Sequence, residues 1–374
     1  MTTDVVAVTA TQLIIWLIIK TNVMGILVRK RKEKVLIDIK HPAQLNLFKG
    51  LSKQLKDENW DVTICYLKRG KLPKIIESEY AGFNTIPVGS SRGSKFSILW
   101  NGNVRRMFTF LDLIRKNRYD ICVAASSIPL AMACKLSGTP IIQFYDDPER
   151  KKVNSLNERF SSQMFFPPIV EKTNKTSIFN CLKEWSYLSP KRFKPNPSIL
   201  AKYNLTPYQY VFIREVSNKS FNYYNQEDAI ICSFCKKIDA NTKVVLSLED
   251  KNYATKFPKS WIILEEPVED IHSLIYYSRL VVSSGDSMAR EGAMLGIQSV
   301  YCGIRKMKAN ELLIEQGILK HLPGEEAVTC INQTIDQPFN NTRQIEVRRR
   351  LLETWDDMNE FMRHQINQYK LVIK

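Results

Sequence analysis

The sequence predicts an α/β protein made of two doubly wound, Rossmann-like halves that face a cleft. From residue 34 onward, short β-branched runs alternate with amphipathic helical segments, the pattern of a parallel sheet covered by helices. This alternation stops in an irregular, proline-rich stretch at 151–208 and then resumes. With 374 residues, 44% of them hydrophobic, the chain is long enough to give each half its own core.

The first 33 residues form a separate apolar and basic segment. The run 5–19 is almost wholly apolar, Lys20 interrupts it, and a second apolar run at 23–28 leads into basic residues at 29–34. Together the apolar runs reach the roughly 20 residues that a membrane-spanning helix needs. The basic residues would keep the rest of the chain at the cytoplasmic face of the cell membrane. The alternative is an upstream-extended start of a cytoplasmic protein, because Met24 shortly precedes the first strand.

The first half is predicted over residues 34–150. It opens with a buried strand at 35–39, and the helix that follows carries Leu45, Phe48, Leu51 and Leu55 on one apolar face. The other predicted elements are strands at 61–66, 85–88, 121–124 and 140–145, and helices at 74–80, 104–117 and 128–136.

An interdomain connector is predicted at 151–208, where prolines are frequent and periodicity is weak. The second half is predicted over 209–340, and a charged amphipathic helix at 345–369 fills most of a tail at 341–374. The elements of the second half are strands at 210–214, 243–247, 261–264, 279–282 and 298–301, and helices at 227–238, 270–277, 288–295 and 309–316.

The net charge of +16 and a pI near 9.4 indicate an anionic partner, which includes nucleic acid, acidic lipid headgroups and nucleotide or phosphate substrates. Zinc-finger spacing, an RNA-binding aromatic signature and a long lysine tract are all missing from the sequence, so specific nucleic-acid binding is disfavoured. The eight cysteines are scattered and are typical of reduced core thiols. The pair Cys232 and Cys235 has no second pair, which disfavours a zinc or redox site.

The segment 281–296, VVSSGDSMAREGAMLG, is an apolar strand, a small-residue turn and a helix. The unpaired N–H groups and the dipole of a helix N-terminus favour an anion, and Gly285 lets the backbone approach that anion closely. Glu291 lies about one turn into the helix, where its carboxylate could accept two ribose hydroxyls beside a diphosphate. The alternative is an ordinary strand, loop and helix whose glutamate complements the helix dipole.

Five motifs in order resemble the family known as domain of unknown function 354, whose members have a GT-B-like architecture. They are VLIDIKHPA at 35–43, YLSPKRFKP at 187–195, VFIR at 211–214, VEDIHSLIYYS at 268–278 and SGDSMARE at 284–291. The resemblance covers about 34–331, and residues 218–224 depart from the family pattern. Nucleotide-sugar glycosyltransferases and non-hydrolysing UDP-N-acetylglucosamine 2-epimerases share this architecture, so the fold leaves the reaction open.

The resemblance implies a nucleotide-sugar site in the second half. It makes Glu291 the ribose ligand and places His272 near the nucleotide base, although a partly buried core histidine is the alternative for His272. GT-B-type transferases usually need no bound metal, so we expect neither a metal nor a cofactor. The implied diphosphate loop consists of Ser284, Gly285, Asp286, Ser287 and Met288.

Three further residues are catalytic candidates because each lies at or just after the carboxyl end of a predicted strand and would face the cleft. His41 could deprotonate an acceptor hydroxyl, with Asp38 either orienting it or bonding the next turn. Arg214 suits a phosphate or carboxylate, or else forms an interdomain ion pair. Asp146 is an acceptor-side or catalytic carboxylate.

These expectations combine into a GT-B-type glycosyltransferase of cell-surface polysaccharide or glycolipid biosynthesis. Its partners would be a nucleotide-sugar donor, a lipid-linked or glycan acceptor, and a membrane surface. The alternatives are a 2-epimerase-like isomerase and a non-enzymatic basic binding module.

Overall fold

The computed structural model describes residues 31–90, 100–218, 226, 229–265 and 268–372. The apolar part of the predicted N-terminal segment lies outside these residues. Within the described part of the chain, each helix is too short or too polar to cross a membrane.

The first domain is built on a parallel sheet of seven strands in the order β3-β2-β1-β4-β5-β6-β7. Alternate residues of β1 face opposite sides of this sheet, and the cores follow that alternation. Val35 and Ile37 pack with one helical layer, whereas Leu36 packs with the other. The strands are β1 (Lys34–Ile39), β2 (Asp61–Lys68), β3 (Asn84–Ser90), β4 (Ile121–Ala124), β5 (Ile141–Phe144), β6 (Gln163–Phe166) and β7 (Thr176–Ile178).

Helices cover both faces of the first sheet because the crossovers reverse direction at β1. Right-handed crossovers toward β3 put their helices on one face, and those toward β7 put theirs on the other. The inner face carries α1 (Pro42–Asp57) and α2 (Leu72–Glu79). The other side of the sheet is covered by an outer layer, which consists of a π-helical turn (Trp100–Arg105), α3 (Arg106–Asn117), α4 (Ile128–Ser137) and α5 (Lys151–Phe160).

The connector begins later than the predicted residue 151. Helix α5 and strands β6 and β7 extend the first sheet, so the connection between the domains starts after Ile178. Strands β6 and β7 have four and three residues, too few to show a period in the sequence. The adjacent prolines Pro167 and Pro168 end β6 instead of marking an interdomain link. The connector itself contains α6 (Trp185–Leu188) and α7 (Ser198–Ala201).

The second domain has a parallel sheet of six strands in the order β10-β9-β8-β11-β12-β13. Its strands are β8 (Val211–Glu215), β9 (Val244–Leu248), β10 (Ile262–Ile263), β11 (Leu280–Ser283), β12 (Ser299–Tyr301) and β13 (Leu319–His321). Its α-helices are α8 (Ile230–Phe234), α9 (Ile271–Tyr276), α10 (Asp286–Met294), α11 (Lys308–Glu315) and α12 (Gly324–Asp336), with 3-10 turns at Cys235–Lys237 and Lys251–Lys256. The helix predicted at 227–238 is shorter than expected, because Ala229 has a φ of 56° that a right-handed helix does not continue through.

The predicted single helix of the tail is two helices, α13 (Thr342–Thr354) and α14 (Met358–Val372). Trp355 leaves the helix and packs edge-on against Trp185 at 5.5 Å. Asp357 then caps α14, because its Oδ1 accepts from the backbone N of Asn359 at 3.2 Å. Helix α14 returns to the first domain and packs on α1.

Candidate functional site

A cavity of about 710 Å³ lies between the carboxyl edges of the two sheets. The first domain contributes the turn after β1 and the segment after β5, while the second contributes the end of β8 and the start of α10. In parallel α/β sheets this edge is where ligands bind, because the loops and helix N-termini converge there. The cavity lies within the 300–1,000 Å³ range typical of small-molecule sites.

The first turn of α10 lines this cavity. Ser283 holds the preceding turn, accepting from the backbone N of Gly285 at 3.0 Å. Gly285 is the N-cap and has no capping side chain. The first backbone N–H groups of a helix have no acceptor within the helix. The stretch from Gly285 to Met288 therefore offers the cleft a helix N-terminus suited to an anion.

Ser284 is the exception among the five predicted loop residues, because it does not line the cavity. Its hydroxyl is fully buried, donates to Glu215 Oε1 at 2.5 Å and accepts from the backbone N of Val216 at 2.9 Å. Ser284 thus fixes the loop to β8 from behind, and its side chain is not available as a ligand.

Glu291 lines the cleft as an oriented carboxylate. The hydroxyl of Tyr187 donates to Glu291 Oε1 at 2.6 Å, and His272 Nε2 lies 3.5 Å from Glu291 Oε2. Burial would raise the pKa of Glu291, but His272, Tyr187 and Arg290 outweigh it and hold the pKa below its ordinary value. Glu291 is therefore an ionised hydrogen-bond acceptor one turn beyond the helix N-terminus.

His272 does not line the cavity but lies behind Glu291. Its ring packs against Tyr187 at 5.3 Å and edge-on to Phe193 at 6.3 Å. The structure gives His272 a part in orienting Glu291, while its predicted contact with a nucleotide base stays a prediction.

His41 faces the cavity from the first domain, as the N-cap of α1. Its Nδ1 accepts from the backbone N of Ala43 at 3.3 Å, so Nε2 carries the hydrogen of the neutral ring in this arrangement. Desolvation between the cleft walls, together with Arg69 and Lys183, lowers the pKa of His41. The ring is therefore neutral at pH 7, and it must release the Nδ1 bond before that nitrogen can act as a base.

Asp38 neither orients His41 nor bonds the next turn, contrary to the two roles considered for it. It is fully buried, where Arg106 Nη2 donates to it at 2.6 Å and Ser127 Oγ donates to it at 2.6 Å. The carboxylate thereby ties β1 to α3 and to the turn after β4. A buried ion pair of this kind positions the strand end from which His41 extends.

Asp146 belongs to a buried network centred on Arg290. Asp146 Oδ2 lies 2.6 Å from Lys183 Nζ and 3.6 Å from Arg290 Nη2. The same guanidinium donates to Glu184 Oε1 at 2.8 Å and to Asp286 Oδ2 at 3.1 Å. The network joins the first domain, the connector and α10, so it holds the two walls of the cleft together.

The carboxylates after Asp146 make further interdomain contacts. Arg305 Nη2 donates to Asp147 Oδ2 at 2.6 Å, and the backbone N of Lys308, at the start of α11, donates to Glu149 Oε1 at 2.7 Å. Among the described residues, no group of three or more His, Cys, Asp or Glu side chains is placed to hold a metal ion.

Arg214 lines the cavity and has partners within its own domain. Its Nη1 donates to Ser247 Oγ at 2.8 Å, and its Nη2 lies 3.6 Å from Glu249 Oε2. The cavity has further cations that are not among the predicted site residues, although Lys40 and Arg290 lie within two of the family motifs and Arg69 directly follows β2. Sequence alone does not separate such cations from those of a solvated basic surface. Burial lowers the pKa of one of them, Lys40, to about 8. The cations that line the cavity are Lys40, Arg69, Arg150, Lys183, Arg214, Arg290 and Arg305.

Two doubly wound domains, with a cationic cleft and a helix N-terminus between their sheets, define a protein of the GT-B architecture. The chain belongs to the DUF354 family, described as proteins of unknown function, whose profile matches residues 33–370. This confirms the family and the fold expected from the motifs.

The chain is similar to one protein in sequence and to solved structures in fold. An uncharacterized protein of Methanocaldococcus jannaschii is 23% identical over 305 residues, which are 77% of this chain and 87% of that protein. The glycosyltransferase VinC, solved in complex with dTDP, superposes with a TM-score of 0.62 at 10% identity over 90% of this chain and 99% of VinC. The UDP-GlcNAc 2-epimerase of M. jannaschii gives a TM-score of 0.62 at 12% identity, over 90% of this chain and 99% of the epimerase.

Proposed function

We propose that this protein is a GT-B-type glycosyltransferase that moves a sugar from a nucleotide donor to a lipid-linked or glycan acceptor at the cytoplasmic face of the membrane. The observation that carries the proposal is the pairing, on one short helix, of an uncapped N-terminus with the ionised Glu291 one turn further on. A nucleoside diphosphate needs both features, because it presents a polyanion next to a ribose diol.

In this proposal the donor lies against the second domain. The diphosphate occupies the first turn of α10, and the ribose hydroxyls donate to Glu291. Arg214 and Arg305, which both line the cavity, stabilise the charge that develops on the leaving diphosphate. Such preorganised stabilisation is usually the largest catalytic contribution and is worth about 10²–10³ in rate for a single donor.

His41 faces the donor from the opposite wall and contacts the sugar or the acceptor. With its hydrogen on Nε2, the neutral ring donates to an oxygen of the substrate. After release of the Ala43 bond, Nδ1 becomes a base for the acceptor hydroxyl, a contribution of about 10²–10⁴ in rate. Asp146 supports this wall through Lys183.

A 2-epimerase is the second candidate, because the solved epimerase superposes as well as VinC, with a TM-score of 0.62 in both cases. The two reactions separate when the protein is incubated with UDP-N-acetylglucosamine and no acceptor. A transferase leaves the sugar configuration unchanged, whereas formation of the 2-epimer would establish the isomerase.

The donor site is tested by titration calorimetry with UDP, dTDP, GDP and their sugars. We expect Glu291→Gln to weaken binding at least tenfold, because hydrogen bonds to a charged group contribute about 1.5–3 kcal/mol. Tyr187→Phe, which removes one orienting bond, should weaken binding by a smaller factor.

Glu326→Gln is the matched control, because Glu326 is an exposed carboxylate in the first turn of α12, in the same domain but outside the cavity. Equal nucleotide affinity in Glu291→Gln and wild type would overturn the donor site.

A further inference from the structure

Helix α4, in the middle of the outer layer of the first domain, is apolar on both sides. Its inner side buries Leu130 and Cys134 completely against the sheet. Its outer stripe follows at helical spacing, with Ile128 and Met132 partly exposed and Leu136 58% exposed. A helix that is apolar all round is normally buried on all sides. The outer stripe of α4 is therefore a surface that lacks a partner among the described elements.

The two neighbouring helices enlarge this apolar strip. Phe108 of α3 is 59% exposed and Leu156 of α5 is 45% exposed. Helix α4 packs against α3 on one side and α5 on the other, so these side chains belong to one face of the molecule. We call this surface, made of the outer sides of α3, α4 and α5, the outer face.

The outer face is also strongly basic. Asp112 is the one exposed carboxylate on its three helices, and it pairs with Lys116 at 2.9 Å. On the opposite layer, α1 and α2 mix exposed lysines with exposed carboxylates. The exposed cations on or directly beside the helices of the outer face are Arg105, Arg115, Lys116, Arg118, Lys135, Lys151, Lys152 and Arg159.

We propose that the outer face docks the protein on an anionic lipid surface, with the stripe of α4 at the level of the headgroups and the cations on lipid phosphates. An apolar strip rimmed by lysine and arginine is the composition of interfacial membrane-binding surfaces. A second copy of the chain fits less well, because a two-fold contact through this face would bring two basic rims together.

This docking deepens the proposed function and rests on its membrane part. Helices α3, α4 and α5 run antiparallel to the strands, so their N-termini lie at the carboxyl edge of the first sheet, where the cleft opens. A protein docked through the outer face holds the His41 wall of the cleft beside the lipid surface, from which a lipid-linked acceptor enters.

Amide hydrogen exchange on the full chain tests this surface locally. The chain is measured alone, with phosphatidylcholine vesicles, and with vesicles of equal parts phosphatidylcholine and phosphatidylglycerol. We expect slower exchange in peptides of α3, α4 and α5 with the anionic vesicles only. Helix α13 is the internal control, because it exposes Ile345 by 59% and Leu352 by 39% but is not part of the outer face.

Leu136→Glu and the double change Lys151→Glu with Lys152→Glu should each reduce this protection at least fivefold. The matched double change Lys49→Glu with Lys53→Glu, on the exposed side of α1, should leave it unchanged. All variants keep residues 1–33, so a contribution of that segment to binding is constant.

Vesicle-bound protein without protection of the outer face would overturn the proposal. So would protection of α4 that appears without lipid and grows with protein concentration, because this identifies a second copy as the occupant. Leu136→Glu should bind nucleotides like wild type, so failure of the docking surface and failure of the donor site are separate results.

Discussion

At the scale of single residues, the buried carboxyl of Glu215 supports the loop that leads into α10. It accepts from the backbone N of Ile231 at 2.6 Å and from Ser284 Oγ at 2.5 Å. Desolvation outweighs these bonds and raises the pKa of Glu215 to about 7. The Glu215 carboxyl, which supports the loop before α10, therefore changes its charge close to physiological pH.

This pKa predicts a pH dependence of stability with a definite sign. Between pH 4.5 and about 7 the folded protein holds a proton on Glu215 that the unfolded chain has released, so the contribution of Glu215 to the free energy of unfolding falls as pH rises. The fall from Glu215 is up to roughly 3 kcal/mol and ends above the folded pKa. Urea unfolding of wild type and Glu215→Gln at pH 5 and pH 8 isolates this contribution.

Glu215→Gln should remove this part of the pH dependence, because the amide stays neutral across the range. The exposed Glu265→Gln should keep the wild-type dependence. The assignment to Glu215 fails when Glu215→Gln and wild type lose the same stability between the two pH values.

The sequence places the cleft-facing residues of the site better than their partners. His41, Arg214 and Glu291 stand next to strand ends or helix starts, so position along the chain is enough to find them. Tyr187 lies 104 residues before Glu291, and Arg106 lies 68 residues after Asp38. No local pattern connects such pairs, because they are brought together by packing of separate elements. The prediction that Ser284 lines the diphosphate site is wrong for the same reason, because its side chain bonds Glu215 of β8 and does not line the cavity.

At the scale of elements, α10 lies close to its sheet because Gly292 has no side chain. A Cβ there would lie 2.6 Å from Ser299 Oγ and 2.8 Å from Val281 Cγ2, both buried. The close approach fixes the height of the helix N-terminus and of Glu291 relative to the cleft.

Gly292→Ala should lower the free energy of unfolding by about 1–3 kcal/mol, the usual cost of overpacking. It should also weaken nucleotide binding, because the whole helix must shift. Chemical denaturation and calorimetry measure the two effects. Helix propensity alone predicts a gain of about 1 kcal/mol, so a more stable variant would contradict this account.

Long, periodic elements of the fold are predictable from the sequence, and short or broken ones are not. Strand β1 has four apolar residues and helix α1 has at least four on one face at helical spacing, and both elements occur where expected. Strands β6 and β7 have only four and three residues, too few to carry a signal, and β7 is the edge strand of its sheet. The break between α13 and α14 depends on the contact of Trp355 with Trp185, which sequence alone does not reveal.

At the scale of the whole molecule, α14 ties the end of the chain to the first domain through Phe361. Its ring lies 5.5 Å from Phe165, 5.9 Å from Phe179 and 6.5 Å from Phe144, measured between centroids. This aromatic cluster lies on the inner side of the first sheet, next to the connector.

Phe361→Ala should lower the free energy of unfolding by about 2–4 kcal/mol, because it empties a packed position. Ile345→Ala, at a 59% exposed position of α13, should change it by less than about 0.5 kcal/mol. Urea unfolding of the two variants gives the comparison, and equal stability in both would show that α14 is not a structural part of the first domain.

The return of α14 also orders events during synthesis of the chain. Gln54 of α1 donates to Glu360 of α14, which leaves the ribosome 306 residues later. The inner side of the first domain therefore stays uncovered while the connector and the second domain are translated, although domains generally fold as they emerge. The first domain becomes complete only after α14 has been translated, so the first-domain wall of the cleft reaches its final form after the second domain has been made.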